Sequence, residues 1–463
     1  MGNNRLILFA CLAYLLSLFY ALSNESYIVV LIPPVLLLVF ISIFRLNYVF
    51  YAVVFLTPLS MSLSDLGFTN FPIEMAFPTE PILFGLMLLT FFQLFRNRYW
   101  FTIILNHSIV KCILVYIFWI FITSCTSTMP LVSFKFLLTR LWYIFPLIFI
   151  GVSLFQDSKK ISSFVLVYLI PFLGVIVYTI LRHANHYFDK HSAHYMMSPF
   201  FNDHTSYGAL IAFFLPLTIA LFFIKKDNLH IRFMLFISLI ILTIGFVLSF
   251  TRAAWISLFL ACVIATFLKL NVNRKLLLMA PIICFFLFFS FQNQIYPILG
   301  ENKQDSSDNL IEHVTSISNI STDASNMERI NRWSCALKMF IEKPFFGWGP
   351  GTYQFQYASF QLNRDKTIIS SNMGDMGNAH SEYLGPLCES GVLGFFSFLL
   401  LVLVVLMKAI KIYDYTIHKN HKIWLLAIIT SLSSYFIHGL FNNFLDTDKA
   451  SVPIWSAIAM IVA

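Results

Sequence analysis

The chain has 463 residues, 59% of them hydrophobic and only 11% charged, with a formal net charge of +8. A soluble domain carries about 25% charged residues, so a water-soluble globule is excluded. The basic excess does not argue for nucleic acid either, because it is dispersed through short turns between long apolar runs.

Apolar runs of about 18 residues read as membrane spans, and in lipid a helix closes its backbone hydrogen bonds within one segment. Such runs fall at 6–22, 27–44, 48–63, 79–95, 109–127, 134–155, 161–181, 205–224, 231–249, 252–268, 275–291, 385–407, 423–441 and 450–463. The third and last are short and the ninth and tenth nearly touch, so the expectation is an all-α polytopic membrane protein of 12–14 transmembrane helices. The first run follows only Arg5 and lacks a cleavage site, so it reads as a retained span. The turns alternate in charge: basic residues recur on one side, at Arg5, Arg45, Arg96/Arg98, Lys159/Lys160, Lys225/Lys226/Arg232, Lys269/Arg274/Lys275 and Lys408/Lys411/Lys419/Lys422, while turns on the other, such as 64–78 and 128–133, have few or none. The positive-inside rule makes the basic turns cytoplasmic, with both termini.

This topology predicts an N-terminal bundle over 1–291, a large outer loop over 292–384 and C-terminal spans over 385–463. A second outer segment, 182–204, is rich in His and Tyr. Loops this long are functional or mobile. Residues 301–325 are rich in Asp, Ser and Asn and read as mobile, while 326–343 reads as an amphipathic helix. Ser325 and Glu328 suggest a capping box, Ile330, Trp333, Leu337 and Phe340/Ile341 an apolar stripe, and Pro344 a stop. Arg329 and Arg332, three apart, share a neighbouring face. There is no internal repeat.

Charges inside spans are costly and mark function. Arg140 lies within the sixth span and Arg252 at the outer join of the ninth and tenth. Snorkelling to the headgroups is the plainer alternative for each. In the large loop, GWGPGTY (347–353) sets Gly347, Gly349 and Gly351 directly after the amphipathic helix. It is no P-loop, since no Gly-Lys-Ser/Thr follows, and a tight turn is the simpler account. NAHSEYLGPLCESGVLG (378–394) carries His380 just before a span, with Glu382 and Glu389 near it. Histidine can take a proton near neutral pH. The outer side also holds His183, His186, His191, His194, His204 and His313, with His438 near the end of a span, but no pair has zinc-site spacing, so no metal is expected. Cys335 and Cys388 lie on the same side, and their pairing stays open.

Taken in order, several segments resemble the O-antigen ligase and O-antigen polymerase superfamily. SPFFNDHTSYG (198–208) is similar to the family's Gly/Asn-rich entry segment, with Asp-His where Pro-Asn is usual. FTRAAW (250–255) is similar to its Ser-Arg-Gly signature, with Thr251 and Ala253 as departures. Arg329 with Trp333, then KPFFGWGPGTY (343–353) and AHSEYLGPLCESGVLG, match well, Ser381 replacing an Asn. The resemblance covers about 198–405.

It implies a fold like that of the multi-spanning, lipid-donor (GT-C-like) glycosyltransferases, in the bacterial inner membrane with its large loop periplasmic. It also implies an inverting, metal-independent transfer without cofactors. The donor is a glycan on undecaprenyl pyrophosphate, and the partners are that donor and a glycan acceptor. His380, Arg252 and Arg329 are then the catalytic residues. Depth and helical face add Arg140 and Arg332 as pyrophosphate- or substrate-binding candidates, with Gly347, Gly349, Gly351 and Glu389 shaping the loop over the lipid. The resemblance leaves three acceptors open: the lipid A core (a ligase), a second lipid-linked repeat (a polymerase) or a protein hydroxyl. The ligase is the leading expectation. A polysaccharide transporter or flippase is the reading from outside this class, although the paired broken helices of such folds are not visible in the sequence.

Overall fold

Apolar residues run all the way round most of the helices, as in HTSYGALIAFFLPLTIALFFI (204–224), the pattern of a segment surrounded by lipid or protein. A computed structural model describes residues 45–67, 75–96, 98–225, 227–272, 324–362 and 377–463, with a fragment inside 14–20. The spans expected at 6–22 and 27–44 lie almost wholly outside the described residues. Those at 275–291, the segment 301–323 and His313 lie wholly outside them. By its internal contacts the chain divides into Met1–Val53 and Val54–Ala463, and the site lies in the second unit.

In chain order the helices are α1 (Leu46–Leu56), α2 (Thr79–Arg96), α3 (Arg98–Asn106), α4 (Ser108–Cys125), α5 (Pro130–Phe155), α6 (Ser158–Ala184), α7 (Lys190–Ala193) and α8 (His204–Ile224). They continue with α9 (Leu229–Leu248), α10 (Arg252–Lys269), α11 (Ala324–Glu342), α12 (Tyr353–Gln356), α13 (Leu384–Tyr415), α14 (Lys419–His438) and α15 (Asp448–Val462). Among the described residues the only sheet is an antiparallel pair of two-residue strands, Met61–Ser62 with Ala76–Phe77. Among the described residues seven helices, α4, α5, α6, α8, α9, α10 and α13, are long and apolar enough to cross a membrane. The protein is an all-α polytopic membrane protein.

Burial separates centre from rim. The apolar windows of α5 and α8 are 72% buried within the protein, those of α9 and α10 only 22%, which leaves the latter pair facing lipid. α14 packs along both α8 and α10, α15 along α5, and α13 along α4. The last expected span is the 15-residue α15, buried almost throughout. At 1.5 Å per residue it extends about 22 Å, short of a 30 Å hydrocarbon core.

α11 confirms a helix in the large loop but corrects its anchoring. It is described from Ala324, and the Glu328 carboxylate takes Arg332 Nε at 2.8 Å; the expected capping box at Ser325 lies outside the described side chains. Its buried face is Glu328, Asn331, Cys335, Ala336 and Met339, while Leu337 and Ile341 are 45% and 75% exposed. Part of the apolar stripe, Leu337 and Ile341, therefore points outward, as do exposed Phe345 and Phe346, while Trp333 packs against Phe441. An apolar stripe beside a bilayer has two places to hide, the core and the lipid, and the hydrophobic pattern does not distinguish them. Cys335 and Cys388 are not joined by a disulfide and lie buried in one cluster with Met339, Tyr353 and Tyr357.

Candidate active site

Local rules bring four chain segments to one end of the bundle. Asp203 caps α8, its Oδ1 accepting the Ser206 N–H and the Thr205 hydroxyl, each at 2.7 Å. One turn on, Gly208 leaves room for the turn between α9 and α10, since a Cβ there would meet Thr251 Oγ1 at 2.8 Å and Ser249 Oγ at 2.9 Å. Thr251 Oγ1 donates to the His204 carbonyl at 2.8 Å. Arg252, the first residue of α10, is thereby set beside His204 and acts electrostatically on its ring. The Thr251 departure from the family pattern thus serves the joint between α8 and α10.

His380 is set by the segment before α13. It has φ of 47°, a left-handed conformation that costs a non-glycine residue about 1 kcal/mol or more. The Asn378 side chain accepts its N–H at 3.1 Å, and its carbonyl accepts Trp333 Nε1 of α11 at 3.3 Å. Next to it, Ser381 Oγ accepts the N–H groups of Tyr383 and Leu384, so the serine found in place of the family's Asn still caps the helix. Glu382 is buried and its Oε1 accepts Tyr435 Oη at 2.7 Å, Phe444 N at 2.7 Å and Leu445 N at 2.9 Å. Burial, reinforced by the Asp446 carboxylate, holds Glu382 above the usual carboxylate range.

Arg329 is the common element. Its guanidinium, half-buried on α11, acts electrostatically on His204, His380 and His438. The structure therefore brings together three predicted residues, Arg252, Arg329 and His380, with Asp203 and His204 of the α8 start. Burial, then Arg329 and Arg332, push the His380 imidazole down to about 4, against a hydrogen bond to Asn442 and the charge of Asp203. At neutral pH His380 is therefore an uncharged acceptor.

Other predicted residues make contacts within the protein. Arg332 binds Glu328 Oε1 at 2.8 Å and the Asn378 carbonyl at 3.3 Å, and lies 5.0 Å from the Tyr357 ring centroid. It ties α11 to the His380 segment. Arg140, expected at the pyrophosphate, is paired with Asp446 and donates to the Leu445 carbonyl at 2.6 Å. Gly347, Gly349 and Gly351 all have positive φ, of 69°, 115° and 75°. Their amides are spent on protein acceptors: Gly347 on the Lys343 carbonyl at 3.1 Å, Gly349 on the Glu389 carbonyl at 2.8 Å, and Gly351 on the Glu389 carboxylate. Glu389 Oε1 also accepts Tyr353 N at 2.9 Å. A side chain at Gly347 would overlap the Glu389 backbone, and one at Gly349 would overlap Ser127. This stretch is a clasp between the loop and α13, which itself kinks at Gly391 (φ 70°) where Pro344 accepts Val392 N at 2.9 Å. The glycines, expected to shape the loop, bring two backbones close.

His183, one of the histidines weighed for metal, donates from Nε2 to the Asp189 carbonyl at 2.7 Å, and among the described residues no three His, Cys, Asp or Glu side chains group as metal ligands. Sequence reasoning missed Asp203, whose signal is the D-x-x-S cap, and Asn442, which lies in the turn after α14 and carries no sequence signal. Residues 237–399 match the family model described as O-antigen ligase, a span that holds Arg252, Arg329 and His380. No curated protein matches the chain.

Proposed function

The chain carries an O-antigen ligase domain, and on that premise we propose that it transfers a glycan from undecaprenyl pyrophosphate to an acceptor hydroxyl of the lipid A core. The transfer takes place at the periplasmic face of the inner membrane. The observation that carries this reading is the convergence of two guanidiniums, Arg252 and Arg329, with an uncharged imidazole, His380, from separate segments.

The chemistry follows from those groups. The acceptor oxygen forms a bond to the anomeric carbon from the face opposite the leaving group, as that carbon's bond to the pyrophosphate oxygen breaks, so configuration inverts. The hydroxyl proton passes to the free nitrogen of His380. Charge accumulating on the pyrophosphate is met by Arg252 and Arg329, whose planar, permanently charged donors suit phosphate oxygens. Arg252 and Arg329 act on His204, and Arg329 on His380 as well, so guanidiniums stand where an anionic ligand would be favoured. Its arrival neutralises the charges that depress His380, which makes the imidazole a stronger base when the donor is bound.

The test is transfer by purified protein in detergent with chelator, offering a lipid-pyrophosphate-linked glycan together with a lipid A core and a second lipid-linked repeat. Transfer to the core, lost in His380→Ala, is the expected result. Transfer to the repeat alone makes the protein a polymerase. Donor and protein shown intact with no transfer to either would move the reading to a protein acceptor or to transport.

A further inference from the structure

The turn between α14 and α15 lies outside the matched family segment, yet it reaches His380. Asn442, 2% exposed, hydrogen-bonds the His380 side chain and places Nδ2 3.1 Å from His438 Nε2. His438 is 1% exposed at the C-terminus of α14, and its ring also lies against the Ala253 backbone, beside Arg252. The turn is firmly held. The His438 carbonyl accepts Phe441 N at 2.9 Å and Asn442 N at 3.2 Å, the Trp333 and Phe441 rings sit 6.3 Å apart, and Glu382 binds the next two amides, Phe444 and Leu445.

Hydrogen-bond valence gives this chain of contacts a direction. An amide nitrogen can only donate, so His438 Nε2 must present a lone pair to Asn442 Nδ2. The Asn442–His380 bond favours the protonated ring, as an accepting Asn442 carbonyl oxygen does, so the His380 nitrogen that meets it carries the hydrogen. The other His380 nitrogen is thereby kept as the acceptor that a general base requires. We infer that Asn442 and His438 are positioning residues that fix the tautomer and orientation of His380 and tie it to the start of α10, where Arg252 stands. This rests on the role proposed for His380 above. It places part of the machinery beyond the family-matched residues.

The charged and titratable groups facing His380 are Arg329 and Arg332 from α11, Asp203 before α8 and, through Asn442, His438 from α14. A carboxylate put in place of the amide therefore has a readout that simple misfolding does not give. The experiment follows acylation of His380 by diethyl pyrocarbonate against pH, by mass spectrometry, beside glycan transfer for wild type, Asn442→Asp, Asn442→Leu and His438→Phe. Asn442→Asp is expected to raise the acylation midpoint of His380 by about one unit or more. Asn442→Leu and His438→Phe are expected to lower kcat about tenfold or more with KM within about twofold. An unmoved midpoint in Asn442→Asp, or wild-type kcat in Asn442→Leu, overturns the inference. Acylation needs no substrate, so absent transfer in the wild type would defeat the functional reading while the midpoint still judged the tether.

Discussion

Two buried polar regions of this protein are built on opposite plans. Around Arg140 and at the start of α15 the charges are matched within the protein. Arg140 pairs with Asp446, Asp448 accepts Ser60 and Thr79 hydroxyls, and Lys449 lies 4.0 Å from Asp448 and donates to the Thr57 and Ser60 carbonyls at 2.6 Å each. Around His380, the Arg252 and Arg329 guanidiniums and the Asp203 carboxylate bear on three imidazoles. The first plan satisfies buried charge and fixes helices, and the second, on the function proposed above, sets arginine where a pyrophosphate would bind. Arginine inside a membrane protein is thus not by itself a functional mark, since its neighbours decide.

That contrast is open to attack at several points. The largest effect is expected at the positive cluster. Arg329→Ala and Arg252→Ala should each lower kcat/KM about 10²–10³-fold while leaving thermal unfolding in detergent nearly unchanged. Lysine at either position should restore activity only in part, because it lacks the planar fork. Unaltered kcat/KM in both variants would remove the cluster from the chemistry. Next comes the clasp. Gly349→Ala forces a side chain into Ser127 at φ 115° and should cost about 2–3 kcal/mol of stability, read as a lowered unfolding temperature.

The matched pair should behave differently. Arg140→Ala removes the partner of Asp446 and should cost about 1–3 kcal/mol, limited because the Asp446 side chain is 42% exposed. Its kcat/KM per folded molecule should stay within about threefold of wild type, since it touches no reacting group. The smallest effect is in pH dependence. A base must be unprotonated, so the rate falls as pH drops through the His380 pKa. For kcat/KM that limb should lie near 4, the free-enzyme value, and for kcat it should sit higher because bound donor offsets the arginines. Coincident limbs would mean that the donor does not neutralise those charges.

Much of this was legible beforehand, for physical reasons. Lipid demands long apolar helices, so α4 through α6, α8 through α10 and α13 follow from hydropathy. Arg252, Arg329 and His380 stand in motifs dense enough to be recognised without coordinates. Leu337 and Ile341 were recognised as apolar, but their outward direction was not recoverable, because lipid and core reward the same pattern. Arg140 was found by depth alone, while the partner that assigns it, Asp446, lies 306 residues further along the chain. Asn442 has no motif, and its value appears only when α14 brings it against His380.

The central claim, that the positive cluster and not the deep arginine holds the lipid pyrophosphate, is tested most directly by binding. Undecaprenyl pyrophosphate affinity would be measured by native mass spectrometry in detergent for wild type, Arg252→Ala, Arg329→Ala and Arg140→Ala. The account predicts at least about tenfold weaker binding for Arg252→Ala and Arg329→Ala, and near wild-type binding for folded Arg140→Ala. Weakened binding in Arg140→Ala with the other two unaffected would contradict it.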